Sequence, residues 1–293
     1  MKLLSIITPT YNRAGFLPKC FQSLLRQSCN DFEWIIVDDG STDNTEEVIH
    51  TFQSDRFPIY KIIKQNGGKH TALNAAHQWI HGDYILILDS DDYLTDTAVE
   101  EVLTAWKRYD GNPSVGILTF LKGTDKEHPV CLAEDYGKPV EIMRYKRKPV
   151  SGGDCCEVIR TDLYKLYPFP VFDGERFLSE CALWNRVSFT HKCVYINSVI
   201  YICEYLEDGL TKAGRKLRIR CPLGGMFISN LRMDRSNLPG QRIKYAMLYD
   251  CYGFFAGLSI GKMMKESRAP FLSAVLIPAA YVLFFYWKKR YQN

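Results

Sequence analysis

Residues 86–92 read Leu-Ile-Leu-Asp-Ser-Asp-Asp, an apolar run that ends in three carboxylates. The run has the composition of a buried strand, and Asp89, Asp91 and Asp92 follow it at once. Carboxylates fixed at the end of a rigid strand are oxygen ligands suited to a divalent cation. Acidic residues also suit the positive end of a following helix, so Asp-x-Asp alone leaves metal binding and helix capping both open.

Strand-like and helix-like patterns alternate along the first hundred residues. Short apolar runs are separated by single stretches with apolar residues at helical spacing. The extended runs cover residues 3–8, 34–37, 59–64 and 84–88, and the helical stretches cover 16–26, a segment opened by Asp43 and Glu46, and 71–81. Such alternation predicts βαβ units, and therefore an α/β fold with a mostly parallel sheet and helices on both faces.

Each predicted strand is followed by a loop that carries polar or glycine residues. These loops are 9–13, 38–41, 66–70 and 89–92. Ligands of α/β sheets bind beyond the carboxyl ends of the strands. The four loops are therefore expected to converge on one cleft.

The composition is that of a globular protein. The chain has 293 residues, 46% hydrophobic and 24% charged, enough for a large core and an appendage. A net charge of +4 is too mild to imply nucleic acid, although Lys and Arg gather in the C-terminal third. The ten cysteines include no Cys-x-x-Cys pair, which fits reduced thiols in the cytoplasm. The short apolar stretch before Thr8 is no signal peptide, so the N-terminus is expected to stay in the cytoplasm.

The regularity of the pattern changes near residue 110 and again near residue 205. We expect one α/β domain at 1–205, with a nucleotide-binding half at about 1–110 and an acceptor half at about 111–205. Residues 206–293 are expected to form a helical C-terminal region. The acceptor half has three landmarks: an extended run at 117–121, a charged stretch at 144–148 and a turn at 151–154.

Two further loops offer groups that suit a nucleotide. Asp38 and Asp39 precede Gly40, which allows a tight turn near a ligand, and a carboxylate there can accept a hydrogen bond from a base or a ribose. A turn and helix cap explains Asp38 equally well. The turn at Asn66-Gly67-Gly68-Lys69 places one cation at the start of a helix, where a diphosphate would bind, although a Gly-Gly pair alone is ordinary loop chemistry.

In this order, the four loop motifs resemble those of family 2 glycosyltransferases with the Rossmann-like GT-A fold, of the bacterial cell-envelope and exopolysaccharide type. The motifs are Thr8-Pro9-Thr10-Tyr11-Asn12-Arg13, Val37-Asp38-Asp39-Gly40-Ser41-Thr42-Asp43, Asn66-Gly67-Gly68-Lys69 and Asp89-Ser90-Asp91-Asp92. The resemblance covers residues 3 to about 205. It implies a nucleotide-diphosphate sugar across the carboxyl ends of the sheet and a divalent cation, Mn²⁺ or Mg²⁺, that neutralises the leaving diphosphate.

The resemblance also implies roles for single residues. Asn66 and Lys69, in one turn, would bind the nucleotide sugar, with Lys69 approaching the phosphates. Asp89 would bind the ribose or join the metal shell, and Asp91 would bind the metal and serve catalysis. The base and ribose would be held by Pro9, Tyr11, Arg13, Asp38 and Asp39.

Members of the family invert the anomeric centre by direct displacement, so a side chain must take the proton of the acceptor hydroxyl. That base usually lies in a Glu-Asp pair ahead of a Trp and an Arg. Here Ser179-Glu180 matches the pair, so Glu180 is the predicted base although Ser179 replaces the preceding glutamate. A helix-dipole role for Glu180 and a core role for the tryptophan are the structural alternatives. The predicted acceptor side comprises Asp154, Glu175, Trp184 and Arg186.

The tail has an uncharged stretch of 19 residues, 269–287, that just reaches the length of a membrane span. Pro270, Pro278 and the following Lys288-Lys289-Arg290 oppose a straight crossing from a cytoplasmic domain. A segment lying in the interface at the inner face of the cytoplasmic membrane fits both constraints. A buried helix or a contact in a homo-oligomer stays open.

The sequence therefore predicts an inverting, metal-dependent glycosyltransferase. Its donor would be a nucleoside-diphosphate sugar, with uridine favoured, and its acceptor a polysaccharide or a lipid-linked glycan. The alternative is a catalytically silent sugar-nucleotide-binding or scaffolding subunit of a glycan-assembly complex. A sugar-phosphate nucleotidyltransferase is disfavoured because the loop after the first strand, at Pro9, is not glycine-rich.

Overall fold

The computed structural model describes residues 2–133, 139–141, 150–152, 154–204 and 210–291. The charged stretch 144–148, Gly153 of the predicted turn and the predicted boundary near 205 lie outside the described residues. The chain forms two compact units. The first holds the described residues of 1–142, 148–169 and 190–205, and the second those of 170–189 and 206–293.

The first unit is built on strands and helices in alternation. Its strands are β1 (Leu4–Thr10), β2 (Phe32–Asp38), β3 (Ile59–Ile63), β4 (Tyr84–Ile87), β5 (Tyr93–Leu94), β6 (Val115–Gly123), β7 (Cys131–Ala133), β8 (Pro139–Glu141), β9 (Val150–Gly152), β10 (Cys155–Arg160) and β11 (Lys192–Ile202). Its helices are α1 (Leu17–Leu25), α2 (Thr45–Thr51), α3 (Lys69–Ala75), α4 (Ala98–Lys107) and α5 (Thr161–Leu166), and a 3₁₀ turn (Ala76–Trp79) follows α3.

Nine strands form one sheet in the order β3-β2-β1-β4-β10-β6-β11-β5, with β8 paired to β11, while β7 and β9 form a separate pair. The strands β3, β2, β1 and β4 run parallel, as predicted. Strand β10 is antiparallel to both β4 and β6, so the second half of the sheet is mixed. The predicted α/β class is confirmed. The alternation of strand and helix patterns in the sequence did not predict the antiparallel strands.

Apolar spacing decides how the helices pack. In α1, Leu17, Cys20, Phe21 and Leu24 are buried at helical spacing, so one face of the helix is apolar. Phe21 stacks on Trp34 of β2 with ring centroids 5.6 Å apart. Burying each such large side chain contributes about 1.5–3 kcal/mol.

The helix predicted at 71–81 is shorter in the structure and ends as a 3₁₀ turn. The backbone N–H of His81 donates to Glu33 Oε1 at 2.7 Å, and that of Gly82 donates to Ser5 Oγ at 3.0 Å. These donors are thereby drawn away from helix carbonyls. The chain leaves the helix before β4 because β1 and β2 supply the competing acceptors.

The second unit is helical, as expected for the C-terminal region. It contains α6 (Cys181–Val187), α7 (Leu210–Arg220), α8 (Pro222–Arg232), α9 (Pro239–Phe255), α10 (Ile260–Glu266) and α11 (Pro270–Tyr291), with a break in α7 at Gly214. Residues 170–189, which the sequence placed in the acceptor half of the first domain, group with these helices. The reason is local: Glu175 binds the start of α8, and Arg232 of α8 contacts the Cys181 sulfur at 3.8 Å.

Helix α11 has two unlike apolar faces. One face packs on α9, with Phe284 against Phe255 at 4.7 Å and Trp287 against Tyr252 at 6.0 Å between ring centroids. The other face is exposed and carries Phe271, Val275, Val282, Phe285 and Tyr286. Among the described residues, α11 is the helix long and apolar enough to cross a membrane, although a sixth of it (17%) is buried in the protein.

Candidate active site

The three carboxylates after β4 have three different environments. Asp89 forms ion pairs with Lys69 and with Lys122, whose Nζ lies 4.0 Å from Oδ2. Burial alone would raise the pKa of Asp89, but the two ammonium groups hold it below its usual value. Asp89 is therefore an anion whose charge the protein already balances.

Tyr201 of β11 holds the turn that carries these carboxylates. Its fully buried hydroxyl accepts a hydrogen bond from the backbone N–H of Asp89 at 3.0 Å and donates to Asp92 Oδ2 at 2.7 Å. The other oxygen of Asp92 accepts from the Glu204 N–H at 3.0 Å. Burial and the neighbouring Asp89 raise the pKa of Asp92 to about 6. Asp92 thus serves the shape of the turn.

Asp91 is the carboxylate of the three that neither a lysine nor Tyr201 holds in the described structure. It is half-buried, and burial together with the Asp89 charge raises its pKa. No group of three or more His, Cys, Asp or Glu in the described part of the chain could hold a metal ion. The donors present fit Mg²⁺ or Mn²⁺ held by one or two carboxylates and completed by substrate phosphates and water.

Asp39 is committed to the glycine turn of the third loop. Its buried carboxylate accepts from the N–H groups of Gly67 at 3.0 Å and Gly68 at 2.6 Å and from Lys64 Nζ at 2.6 Å. Thr71 adds a weaker contact at 3.4 Å. The carboxylate fixes the turn that presents Lys69, so the structure shows a positioning role, and direct nucleotide binding by Asp39 stays a prediction.

Asp38, the neighbouring carboxylate, can accept further hydrogen bonds. Its Oδ1 accepts from the N–H and the hydroxyl of Ser41 at 3.1 and 2.5 Å. Its buried Oδ2 has no hydrogen-bond partner among the described residues, and Thr10 Oγ1 and His70 Nδ1 are in the same condition. Burial raises the pKa of Asp38, and the Ser41 hydrogen bonds oppose the rise. A polar ligand bound at these atoms would supply the hydrogen bonds that they lack.

The first loop is bonded to the second. Asn12 has a positive φ of 50°, and its backbone N–H donates to Ser41 Oγ at 2.9 Å. Its Oδ1 accepts from the Thr42 N–H at 2.8 Å. The Arg13 N–H donates to Thr45 Oγ1 at 3.0 Å. Pro9 is buried in β1 and Tyr11 is 44% exposed. These bonds bring the predicted nucleotide residues of both loops together. Asn66 lies beside the second loop: a Cβ added at Gly40 would be only 2.7 Å from the Asn66 backbone N.

The predicted acceptor residues are divided between the units. Asp154 is exposed and lies in the first unit beside β10, while Glu175, Glu180, Trp184 and Arg186 lie in the second. Glu180 is half-buried at the start of α6, and Arg186 donates to the Ala182 carbonyl at 2.7 Å and lies 5.8 Å from the Phe227 ring. The role of Glu180 as the base stays a prediction.

Glu175 has a structural task. Its carboxylate accepts from the N–H groups of Leu223 at 2.6 Å and Gly224 at 2.8 Å, at the start of α8. These N–H groups have no partner inside the helix, so the carboxylate caps α8. Burial raises the pKa of Glu175, and the two hydrogen bonds oppose the rise. The predicted place of Glu175 on the acceptor side stays a prediction that this cap does not favour.

Three residues of the site were missed in the sequence. Lys64 directly follows β3, and its place after a strand could have identified it. Lys122 ends an apolar run in β6 and gave a weaker signal. Tyr201 lies more than a hundred positions from Asp89 in a strand of ordinary composition, so no local pattern could have identified it.

The chain matches known proteins over the segment that carries this site. Residues 5–165 match the family described as Glycosyl transferase family 2. The glycosyltransferase GlyG of Streptococcus pneumoniae is 32% identical over 284 residues, which cover 85% of this chain and 91% of that relative. The chain therefore belongs to glycosyltransferase family 2 and is a glycosyltransferase.

Two further likenesses differ in extent. Chondroitin synthase of Pasteurella multocida is 46% identical over 98 residues, which cover 33% of this chain, and the chain spans 10% of the length of that relative. S. aureus TarS 1–349, solved in complex with UDP-GlcNAc, has a TM-score of 0.63 at 15% identity over 98% of this chain and 92% of that one. The second likeness shows that the GT-A fold is shared.

Proposed function

We propose that this glycosyltransferase transfers a sugar from a nucleoside diphosphate, with inversion, to a polysaccharide or a lipid-linked glycan. The observation that carries the proposal is the turn after β4. There Lys69 and Lys122 form ion pairs with Asp89, while Asp91 has no ion pair among the described residues. TarS was solved with UDP-GlcNAc and shares the fold, which supports a UDP-sugar as the first donor to test.

Asp91, with Asp89 beside it, would hold the divalent cation, which when bound supplies positive charge for the leaving diphosphate. The chain contributes the remaining charge through Lys69, whose ammonium is placed by α3 and its Asp39-bound turn. Because Lys69 binds Asp89 in the free enzyme, its ammonium would also reach a phosphate bound beside Asp89. Asp38 Oδ2 and Thr10 Oγ1 would satisfy polar groups of the nucleoside.

Glu180 is the proposed base for the acceptor hydroxyl, on the strength of the family resemblance at Ser179-Glu180. A carboxylate at this position would remove the proton as the new bond forms. The longer side chain of Glu180 relative to the family's aspartate gives a direct test, because shortening it restores the family's residue while amidation removes the base.

The experiment measures release of nucleoside diphosphate by the purified chain from UDP-GlcNAc and other nucleotide sugars, with and without Mn²⁺. Asp91→Asn is expected to lower kcat at least about 100-fold. Asp96→Asn, which removes a surface carboxylate paired with Arg26, is the matched control and should retain activity. Glu180→Gln should abolish transfer while Glu180→Asp retains it.

Calorimetry with UDP and Mn²⁺ on the same samples separates the outcomes. Donor binding without turnover, with every acceptor supplied, would favour the catalytically silent subunit. Absence of both turnover and nucleotide binding would refute the proposal. Equal turnover with Mn²⁺ and with a chelator would refute the part of the proposal that assigns a divalent cation.

We also propose that the exposed face of α11 lies on an anionic membrane surface at the inner side of the cytoplasmic membrane. The face is apolar at Val275, Val282 and Phe285, and exposed basic residues border it. These are Lys262, Lys265, Arg268, Lys288, Lys289 and Arg290. Because the opposite face is packed on α9, the helix is suited to lie in the interface and not to cross it.

Flotation with phosphatidylglycerol vesicles tests this surface. Val282→Glu/Phe285→Glu should abolish binding because charges would enter the acyl boundary. Leu166→Glu/Val171→Glu, at two exposed apolar residues elsewhere, is the matched control and should leave binding intact. Equal binding by both double variants would refute the α11 surface.

A further inference from the structure

Two of the ten cysteines, all of which are free thiols, are in contact. Cys131 lies in β7 and Cys155 begins β10, and their sulfur atoms are 3.2 Å apart. Both belong to the first unit and share a small apolar cluster with Leu121 and Val199. A disulfide bond needs a sulfur separation of about 2.05 Å, so a side-chain shift of roughly 1 Å would join them.

The two thiols differ in acidity. The hydrogen bond from Cys155 is the largest influence on Cys131 and lowers its pKa to about 7, against the effect of burial and with help from the Lys122 backbone. The same hydrogen bond and burial raise the pKa of Cys155. Cys131 is therefore the more acidic thiol of the pair, and a thiolate is the form that reacts with oxidants.

We propose that Cys131 and Cys155 form a reversible disulfide site that responds to hydrogen peroxide. The Cys131 thiolate attacks one peroxide oxygen, the O–O bond breaks, and the sulfenic acid of Cys131 and one water form after proton uptake. The Cys155 sulfur then attacks the Cys131 sulfur, the S–O bond breaks and a second water leaves. Two thiols are oxidised to one disulfide, and one peroxide is reduced to two waters.

The environment supports peroxide as the oxidant. Cys131 is only 3% exposed, which excludes bulky reagents more strongly than a molecule of the size of peroxide. Cys155 is half-buried, and its sulfur lies 3.2 Å from the attacking sulfur of Cys131. Among the other thiols, the environments of Cys20, Cys156 and Cys193 each raise the pKa by burial, which makes them poor nucleophiles.

The pair lies next to the candidate active site. Cys155 is opposite Leu121 across the β10–β6 pairing, and the Val130 N–H donates to the Lys122 carbonyl at 2.9 Å. A disulfide would tie β7 to β10 next to Lys122, whose ammonium lies 4.0 Å from Asp89. Slower transfer after oxidation is the expected consequence, and this consequence alone rests on the proposed function.

The test treats the reduced full chain with stoichiometric hydrogen peroxide, blocks remaining thiols with N-ethylmaleimide and maps the peptides by mass spectrometry. The expected product is a peptide pair joined through Cys131 and Cys155, with an intact mass lower by two hydrogens and restored by dithiothreitol. Cys131→Ser and Cys155→Ser should each abolish the link. Cys193→Ser, at a buried thiol that contacts Thr119 Oγ1 at 2.9 Å, is the matched control and should retain it.

A link through other cysteines, or oxidation of Cys131 to the sulfinic acid without a link, would overturn the proposal. The wild-type map decides this without any variant having to fold. It also needs no donor or acceptor, so failure of the disulfide site and failure of the proposed transferase activity are separate results. Several-fold slower donor turnover in the oxidised chain, reversed by dithiothreitol, is the functional readout.

Discussion

Asp38 and Asp39 show how neighbouring residues of one type divide two tasks. Both side chains are buried at the end of β2. The oxygens of Asp39 accept from the Gly67 and Gly68 N–H groups and from Lys64, whereas one oxygen of Asp38 has no partner in the described part of the chain. Because an unsatisfied buried acceptor costs about 1–3 kcal/mol, Asp38 is the one that gains from a bound ligand.

Tyr201 gives a prediction at a single atom. Tyr201→Phe removes one hydroxyl, and with it the hydrogen bonds to the Asp89 N–H and the Asp92 carboxylate. We expect a loss of about 1–3 kcal/mol in the free energy of unfolding and at least a 10-fold fall in kcat, because the Asp91 turn loses its support. Urea unfolding and nucleoside-diphosphate release measure the two effects.

Tyr164→Phe is the control for that substitution. Its buried hydroxyl donates to the Leu73 carbonyl at 2.9 Å, away from the carboxylate turn. A similar loss of stability with kcat retained is expected. Equal losses of activity in both variants would show that Tyr201 acts through general stability.

Asp250 gives a pH dependence in the second unit. It is fully buried in α9, and burial raises its pKa to about 7, opposed by the Ser273 hydroxyl. An unfolded chain ionises this carboxyl near pH 4, so between about pH 4 and 7 the folded state binds more protons. The contribution of Asp250 to the free energy of unfolding therefore falls as pH rises from about 4 to 7, and it is constant above pH 7.

Asp250→Asn should flatten this dependence by roughly 1–3 kcal/mol between pH 5 and 8, measured by urea unfolding. Asp173→Asn changes an exposed carboxyl of the same unit and should leave the slope unchanged. The same pH slope in wild type and Asp250→Asn would contradict the assignment.

At the scale of elements, the regular half of the fold was predictable and the irregular half was not. Strands β1 to β4 and helices α1 and α2 lie within a few residues of their predicted bounds, because period and turn residues agree there, whereas α3 ends well before the predicted residue 81. Strands β5, β7, β8 and β9 have two or three residues each, too few to show a period. The loops that carry the carboxylates could be predicted because they follow the predicted strands. Tyr201 and Lys122 could not be predicted, because the pairing of strands distant in sequence brings them to the site.

The turn after β2 gives a prediction at this scale. Gly40 has φ of 75°, and a Cβ there would lie 2.7 Å from the Asn66 backbone N and 2.9 Å from the Lys64 carbonyl. Gly40→Ala should cost roughly 3 kcal/mol or more, from positive φ and the clash with backbone of the third loop.

Gly174→Ala is a matched control because Gly174 has the same φ of 75° with no atom within 4 Å of the added Cβ. It should cost only about 1–2 kcal/mol, the conformational part. The difference between the two variants in urea unfolding isolates the close approach of the two loops. Equal costs would show that the loops move apart readily.

At the scale of the whole molecule, the small net charge of +4 conceals an uneven distribution. Basic residues gather around α10 and α11, while the first unit has mixed charges. Interaction with anionic lipid is therefore expected to be local and salt-dependent, since exposed charges are screened over about 8 Å at physiological ionic strength.

Binding to anionic vesicles should fall as salt is raised from low concentration, and Lys288→Gln/Lys289→Gln should weaken it at low salt by about 1 kcal/mol per charge. Lys107→Gln/Arg108→Gln removes two exposed charges at the end of α4 and should have no effect. Flotation across a salt series measures both. Salt-independent binding would point to apolar contacts alone.

The parallel order β3-β2-β1-β4 has a consequence for how such enzymes diversify. These four strands come from one uninterrupted stretch, residues 4–87. Among the described strands, β10 alone joins them to the remainder of the main sheet, at Val158, Ile159 and Arg160. A gene segment that encodes β1 to β4 can thus be exchanged by recombination with one strand pairing to match. Sequence change on the far side of that pairing leaves the loops after β1 to β4 intact.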